Sequence, residues 1–211
     1  MSFVRHLLAL LFPQRHTSVL VEGMSLGVLA EHLEPIVLQT TSTSVTALLP
    51  YRHTSIRALI LEAKFHESKK AFALLGTVLA DYLLAECEEH GFENRSYVLI
   101  PIPLSKRRFR ERGYNQVERI VREALTMLPG SFSLSTTLLK RVRDTSPQTK
   151  LGRNARLKNM MGAFECAALL DHCATYILVD DVATTGATLQ AGHTALVSKG
   201  AQEVQMLTLA H

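Results

Sequence analysis

The apolar run Ala174–Val179 (ATYILV) is the segment that most constrains the fold of this chain. Its β-branched, aromatic and aliphatic residues carry no charge, which predicts a strand buried on both faces of a sheet. A helix is predicted from about Ala187 to Lys199, with Gly200 at the position of a C-terminal cap, and Glu203–Leu209 alternates as a strand does. Strand, helix and strand at these lengths predict a βαβ unit and therefore an at least partly parallel sheet.

The remaining predicted elements alternate in the same way. Apolar spacing and flanking turn residues predict strands over Ser44–Leu49, Ser96–Ile102 and Ser135–Leu139, and helices from Thr54, over Lys69–Cys87 and from about Asn115 to Leu128. The segment between Ile102 and Asn115 and the segment Lys140–Met160 are predicted as basic loops. Together these elements predict an α/β fold with a mainly parallel central sheet flanked by helices.

Positive charge is concentrated in the middle of the chain. The net charge of the 211 residues is +4, but Lys106 to Lys158 holds fourteen Lys and Arg against four Asp and Glu, a local +10. The rest of the chain is therefore acidic, at −6. Such a region suits a polyanion, either a phosphorylated small molecule or a nucleic acid, and it also suits a basic face that only contacts solvent.

Neither disulfides, zinc nor a membrane span is expected. The chain has an odd number of widely spaced cysteines, namely Cys87, Cys166 and Cys173, which does not suggest a disulfide framework. A zinc site would need a second ligand pair at a regular spacing, and none accompanies Cys166, His172 and Cys173. The longest uncharged run is rich in Thr, Ser and Gln, and the apolar stretch near the start is too short for a signal peptide. We expect a cytoplasmic protein without membrane contact.

The residues that follow the apolar run Ala174–Val179 carry the chemistry. Asp180 and Asp181 are predicted to end the strand, where ligands bind in open α/β sheets, and carboxylates accept hydrogen bonds from sugar hydroxyls. The run Thr184–Thr188 then opens a helix, whose first N–H groups bind phosphate, and Gly186 allows close approach of the backbone. Acids for a sugar followed by a cradle for an anion predict a ribose 5-phosphate site. A plain strand-to-helix turn is the structural alternative.

Three separated motifs carry a resemblance to a known family. VDDVATTGAT, from Val179 to Thr188, resembles the phosphoribosyl-pyrophosphate motif of the type I phosphoribosyltransferases. PIPLSKRRFRERGYNQ, from Pro101 to Gln116, resembles the PVPL…RxRGFNQ signature of the ComF family, and Lys140–Phe164 resembles a further conserved segment of it. Upstream, Tyr51–Phe65 resembles the "Y…I..lKF" segment of the same family. The resemblance extends from about Ser44 to the C-terminus.

The resemblance implies a phosphoribosyltransferase-like fold and a set of site residues. It implies that Asp180 and Asp181 are the catalytic, ribose-binding acids, and that the 5-phosphate lies at Thr184, Thr185, Gly186, Ala187 and Thr188. It places pyrophosphate at the loop with Ser105, Lys106, Arg107 and Arg112, continued by Gly113, Asn115 and Gln116, and a mobile lid at Arg153, Arg156 and Asn159. Mg²⁺ would accompany the phosphoribosyl pyrophosphate, and Lys64 and Lys69 are possible additional ligands.

The chain also departs from the family pattern. Many ComF proteins begin with a four-cysteine zinc module, whereas residues 1–43 contain no cysteine, so we expect an N-terminal appendage held by packing and a phosphoribosyltransferase-like domain over 44–211. Thr184 stands where purine-salvage relatives carry an acid, so no general base is assigned. The alternatives are a sensor that keeps the site without catalysis and a competence protein that handles DNA, with single-stranded DNA as a possible partner.

Overall fold

In the computed structural model, residues 15–40, 43–90, 95–144 and 159–211 are described. The helices are α1 (His16–Glu22), α2 (Leu26–Ala30), α3 (Thr54–Phe65), α4 (Lys69–His90), α5 (Lys106–Arg112), α6 (Gln116–Leu125) and α7 (Ala187–Val197). The strands are β1 (Ile36–Gln39), β2 (Ser44–Leu49), β3 (Tyr97–Pro101), β4 (Phe132–Leu134), β5 (Leu139–Arg141), β6 (Phe164–Cys166), β7 (Thr175–Val182) and β8 (Glu203–Ala210).

The central sheet has six strands in the order β1-β2-β8-β7-β3-β4. Five strands run parallel to one another, in the order β2, β8, β7, β3 and β4. β1 pairs antiparallel with β2 at the edge of this sheet. β5 and β6 form a separate antiparallel pair. The predicted α/β fold with a mostly parallel sheet flanked by helices is confirmed, and the arrangement is compatible with a phosphoribosyltransferase-like fold.

Two hydrophobic clusters cover the two faces of this sheet. Ile177 and Val179 of β7 belong to the cluster that also contains buried residues of α1 to α4 and α6. Tyr176 and Leu178 belong to the other cluster, with buried residues of α7 and of the β5–β6 pair. Because side chains alternate along a strand, the apolar residues from Tyr176 to Val179 face the two clusters in turn. β7 is therefore the central, doubly buried strand that its composition predicts.

Part of the predicted N-terminal appendage contributes to the core and to the sheet. Val21 and Leu29 are 1% exposed and belong to the first cluster, and β1 extends the central sheet. Buried Glu62 accepts hydrogen bonds from Thr17 Oγ1 at 2.6 Å and from Arg15 Nη2 at 3.4 Å, which attaches α1 to α3. Helix α1 is thus held by apolar packing and by one buried carboxylate.

Three local predictions were wrong. The segment expected as a basic loop contains α5, which begins at the Ser105 cap and ends at Gly113 in the left-handed region. The strand expected over Ser135–Leu139 is instead two strands, β4 ending at Leu134 and β5 beginning at Leu139. β5 also occupies the start of the loop expected over Lys140–Met160, of which residues 145–158 lie outside the described ranges.

Candidate functional site

The sheet changes its winding direction between β3 and β7. From β3 the chain proceeds to β4 on one side, and from β7 it proceeds to β8 on the other, although β3 and β7 are hydrogen-bonded neighbours. In open α/β sheets, the segments that leave two such strands diverge, and a crevice forms at the carboxyl ends of the strands. Ligands of open α/β proteins bind in such crevices. We call this place the switch-point crevice.

Asp180 and Asp181 lie within β7 rather than after it. Asp180 is paired with Thr208, and the ladder continues to Val182, which is paired with Ala210, so the prediction that the two acids end the strand was wrong. The parallel neighbour β8 supplies ladder partners beyond the apolar run, which extends the strand. Since neighbouring side chains alternate, the two carboxylates project to opposite faces of the sheet.

Asp181 is buried and fully engaged on the α3/α6 face. It is 8% exposed, and its Oδ1 forms an ion pair with Lys64 Nζ at 2.9 Å. Its Oδ2 accepts a hydrogen bond from Gln116 Nε2, and Gln116 Oε1 in turn accepts one from Arg112 Nη1 at 2.7 Å. The guanidinium of Arg112 lies 4.9 Å from the centre of the Phe65 ring. The side chains of three helices thus converge on one carboxylate.

Asp180 has a different environment on the α7 face. Its Oδ1 accepts a hydrogen bond from the backbone N–H of Asp181 at 2.9 Å. Burial, followed by the nearby charge of Asp181, raises the pKa of Asp180 to about 7, against the opposing effects of that hydrogen bond, Lys64 and Arg108. A carboxyl group in this state accepts a proton or a cationic ligand readily near neutral pH.

Two arginines contribute positive potential around Asp180, and neither was predicted from the sequence. Arg108 of α5 acts electrostatically on Asp180 and on Arg141, and Arg141 of β5 is itself within electrostatic range of Asp180. Burial lowers the pKa of Arg141, with Arg108 adding to the effect, and its guanidinium lies 5.4 Å from the centre of the Phe164 ring. The i, i+4 spacing of Arg108 and Arg112 would have indicated a shared helical face, had α5 been predicted as a helix.

The predicted phosphate cradle forms the turn between β7 and α7. Gly186 is the N-cap of α7 with φ +69°, and the hydroxyl of Thr185 accepts a hydrogen bond from Ala187 N at 3.4 Å. Gly186 and Ala187 are buried, Thr185 and Thr188 are half-buried, and Thr184 is exposed. The first turn of an α-helix leaves N–H groups without helical partners, which gives this turn the donors that an anion requires.

Thr40 and Thr43, which adjoin the facing ends of β1 and β2, lie beside this cradle. Thr40 and Thr43 both donate hydroxyl hydrogen bonds to Gln190 Oε1 of α7, each at 2.8 Å. A Cβ atom on Gly186 would lie 3.0 Å from the Thr40 methyl group and 3.3 Å from a methyl of Val45. The N-terminal region therefore helps to fix the start of α7, a contribution that no sequence motif indicated.

The structure distributes the predicted pyrophosphate residues over different surroundings. Ser105 is 7% exposed and caps α5 by accepting a hydrogen bond from Arg108 N at 3.2 Å. Lys106 lines a groove on the β4 side of β3, and Arg107 is exposed beside Glu111 at 3.8 Å. Arg112 lies beside Gln116, as described above. Of these residues, Arg112 reaches the Asp181 carboxylate through Gln116, and the pyrophosphate role of all four stays a prediction.

The remaining predicted residues are less concentrated. Lys64 contacts Asp181, whereas Lys69 is exposed at the start of α4. Asn159 is half-buried, and its carbonyl oxygen accepts a hydrogen bond from Arg143 Nη2 at 2.7 Å. Arg153 and Arg156 lie outside the described residues. Within the described ranges, no helix combines the length and apolarity needed to cross a bilayer.

Comparisons with known proteins give a consistent group of relatives. The chain is 33% identical over 114 residues to Competence protein F of Haemophilus influenzae, covering 53% of this chain and 49% of the relative. It is 31% identical over 136 residues to Competence protein ComFC of Streptococcus pneumoniae, covering 64% and 56%. It is 28% identical over 151 residues to DNA utilization protein YhgH of Salmonella typhimurium, covering 72% and 65%. The matched region thus spans about half to two thirds of these relatives, and no family model matches the chain.

Proposed function

The chain belongs to the ComF family, and from this premise we propose that the switch-point crevice binds 5-phosphoribosyl-1-pyrophosphate or a closely related ribose 5-phosphate. One observation carries the proposal. The crevice brings a carboxylate with a raised pKa, the arginines Arg108 and Arg141, and the Gly186 helix start to the same edge of the sheet. These are the groups that a ribose, a pyrophosphate and a 5-phosphate require.

The two carboxylates have different proposed roles. Asp180 accepts hydrogen bonds from the ribose hydroxyls, because Lys64 and Gln116 already occupy both oxygens of Asp181. Asp181 then positions α3 and α6 at the crevice wall. This division refines the expectation that both acids bind ribose.

Cationic residues serve the diphosphate in this proposal. Arg108 and Arg141 provide donors that pair with phosphate oxygens, and Ser105 holds the start of the helix that carries Arg108. Mg²⁺ would enter bound to the diphosphate, since this ion is usually held by one or two carboxylates together with substrate phosphates. Asp180 is a suitable oxygen donor for such a complex.

If the chain transfers the phosphoribosyl group, the reaction is a displacement at ribose C1 in which the C1–O bond to pyrophosphate breaks and a bond to the acceptor forms. Charge on the leaving pyrophosphate increases as that bond breaks, so fixed arginine donors stabilise the transition state more than the ground state. The acceptor's proton, where it has one, leaves to solvent or to a base that we do not assign.

Calorimetric titration with phosphoribosyl pyrophosphate and Mg²⁺ tests the binding. The expected result is saturable binding, loss of at least about tenfold in affinity for Asp180→Asn, where one charged hydrogen-bond acceptor is removed, and a similar loss for Arg108→Gln. Arg119→Gln removes the same charge at an exposed position on α6, where Arg119 pairs with Glu67, and is the matched control. Absence of binding at millimolar ligand, or wild-type affinity in Asp180→Asn, contradicts the proposal. A screen of bases and amines for pyrophosphate release then tests catalysis.

A DNA-handling role is the second candidate, and the names of the relatives, competence and DNA utilization proteins, favour it. The local +10 between Lys106 and Lys158 supplies the charge. Affinity for a long oligonucleotide that decreases steeply with salt, without any response to magnesium or sugar phosphate, would support this role. Saturation by the sugar phosphate would support the first.

A further inference from the structure

We propose that a groove on the β4 side of β3 is a second small-molecule site, which takes one planar aromatic ring bearing an anionic group. The groove has a volume of about 650 Å³ and lies between α5, the start of α6 and the residues after β4. That volume is within the range of ligand sites, about 300–1,000 Å³. The crevice residues Asp180, Arg108 and Arg141 are not among its lining residues.

Helix α5 divides its side chains between the groove and the switch-point crevice. Lys106, Phe109 and Arg110 line the groove, at the i, i+3 and i+4 spacing of one helical face. Arg108 and Arg112 act instead on Asp180 and Asp181. The groove therefore has its own cations, separate from those that the proposed phosphoribosyl site uses, and the proposal does not rest on that function.

The groove combines an apolar lining with positive charge. Pro101, Pro103 and Leu104 supply the apolar surface, and the Phe109 ring is 52% exposed although it is large and hydrophobic. Lys106 and Arg110 precede and follow this ring on the same helical face. The carboxylate of Glu118, also in the lining, accepts hydrogen bonds from Arg122 at 2.8 and 3.1 Å, which offsets its charge. An aromatic face beside two cations matches a ring with a carboxylate or a phosphate.

The number of exposed rings favours a single small molecule over a nucleic-acid strand. Of the three aromatic residues in the basic region, Phe132 is buried and stacks on Tyr97 with ring centres 4.6 Å apart. Tyr114 packs edge-on against Phe72 and donates its hydroxyl hydrogen to Ala63 O at 2.9 Å. Only Phe109 of these three presents its ring to the groove, whereas single-strand binders stack successive bases on several rings.

Titration with component probes tests the proposal. Phenyl phosphate and 2-aminobenzoate carry both parts, benzyl alcohol carries the ring alone, and inorganic phosphate carries the anion alone. We expect saturable binding of the two aromatic anions and at least about tenfold weaker binding of each single component, since stacking and charge pairing each contribute to the affinity. Equal affinity for inorganic phosphate and phenyl phosphate would remove the aromatic part of the proposal.

Matched variants locate the site. Phe109→Leu keeps an apolar side chain and is expected to weaken binding of the aromatic anions about five- to tenfold, as loss of ring stacking predicts. The double change Lys106→Gln and Arg110→Gln is expected to abolish it, whereas Arg107→Gln leaves it unchanged. All these residues are exposed, so circular dichroism should show intact folds. Equal weakening by Arg107→Gln, or binding of oligonucleotides with no binding of the small anions, overturns the proposal.

Discussion

Two neighbouring carboxylates of β7 have opposite electrostatic environments on the two faces of the strand. On the α3/α6 face, Asp181 has an ion pair with Lys64 and a hydrogen bond from Gln116, so its charge is compensated within the protein. On the α7 face, Asp180 receives one backbone hydrogen bond, and its pKa is raised to about 7. The comparison shows that adjacency in sequence does not give two acids the same function, because the strand sends them into different layers.

The largest effect is expected from removing Lys64, the cation that pairs with Asp181. Lys64→Met leaves the Asp181 carboxylate buried without its cation, which should lower the free energy of unfolding by about 3 kcal/mol. Urea denaturation at pH 7 measures this change. The double variant Lys64→Met and Asp181→Leu should recover most of the stability, since no charge then remains uncompensated. If the single and double variants were equally unstable, the ion pair would not be the cause.

The face that carries Asp180 should respond in the opposite direction. In the ligand-free protein, the raised pKa of Asp180 means that ionisation is penalised in the folded state. The free-energy cost of this ionisation begins near pH 4, the ordinary pKa of an aspartate, and grows until the pH reaches about 7, the pKa of Asp180 in the folded protein. Above about pH 7 the cost is constant. Asp180→Asn should therefore raise stability by about 2 kcal/mol at pH 8, allowing for partial exposure, and by less at pH 5.

Denaturation curves of the two proteins at pH 5 and pH 8 check this sign. A stabilisation that is larger at pH 5 than at pH 8 would contradict the assignment of the raised pKa to Asp180. Asp81→Asn, at an exposed position on α4, serves as the control.

The start of α7 should be moderately sensitive to a side chain. Gly186→Ala adds a Cβ at φ +69°, next to Thr40 and Val45, and should cost about 1–2 kcal/mol. Gly130→Ala is the matched control, because nothing lies within 4 Å of a Cβ built there. Thermal unfolding compares the two variants. A loss in Gly130→Ala equal to that in Gly186→Ala would show that the cost is not specific to the left-handed conformation.

The smallest effect is expected at Arg112, which reaches Asp181 only through Gln116. Arg112→Lys removes the planar group that donates to Gln116 and lies over Phe65, and should cost about 1 kcal/mol. Arg107→Gln should change stability by less than about 0.5 kcal/mol, since its pair with Glu111 is exposed. Urea denaturation of both variants gives the difference. Equal losses would indicate that Arg112 acts only through charge.

The sequence predicted the doubly buried strand, the βαβ unit and the glycine turn because each depends on local composition. Polar patterning predicted a loop at Lys106–Arg112, but the Ser105 cap and the Gly113 turn make this short, charged segment a helix. Because the segment is a helix, Arg108 acts on Asp180 whereas Lys106 lines the groove on the β4 side of β3. This difference could not be predicted without the helix.

Long-range contacts account for the remaining differences. Lys64 is separated from Asp181 by more than a hundred residues, so only the packing of α3 against β7 brings them together. The same holds for Gln190 and its partners Thr43 and Thr40, which precede it by 147 and 150 residues in sequence. Apolar periodicity indicates which face of a helix is buried, but not which polar groups will be neighbours.

The position of β1 has a practical consequence for anyone shortening this chain. β1 covers the outer edge of β2 by antiparallel pairing over Ile36–Gln39. A protein that starts at residue 44 would present the backbone N–H and C=O groups of β2 to solvent, and uncovered strand edges promote intermolecular pairing. It would also lose the hydrogen bond from the Thr40 hydroxyl to Gln190 of α7. Self-association of such a fragment would thus reflect a missing neighbour rather than an intrinsic oligomeric state.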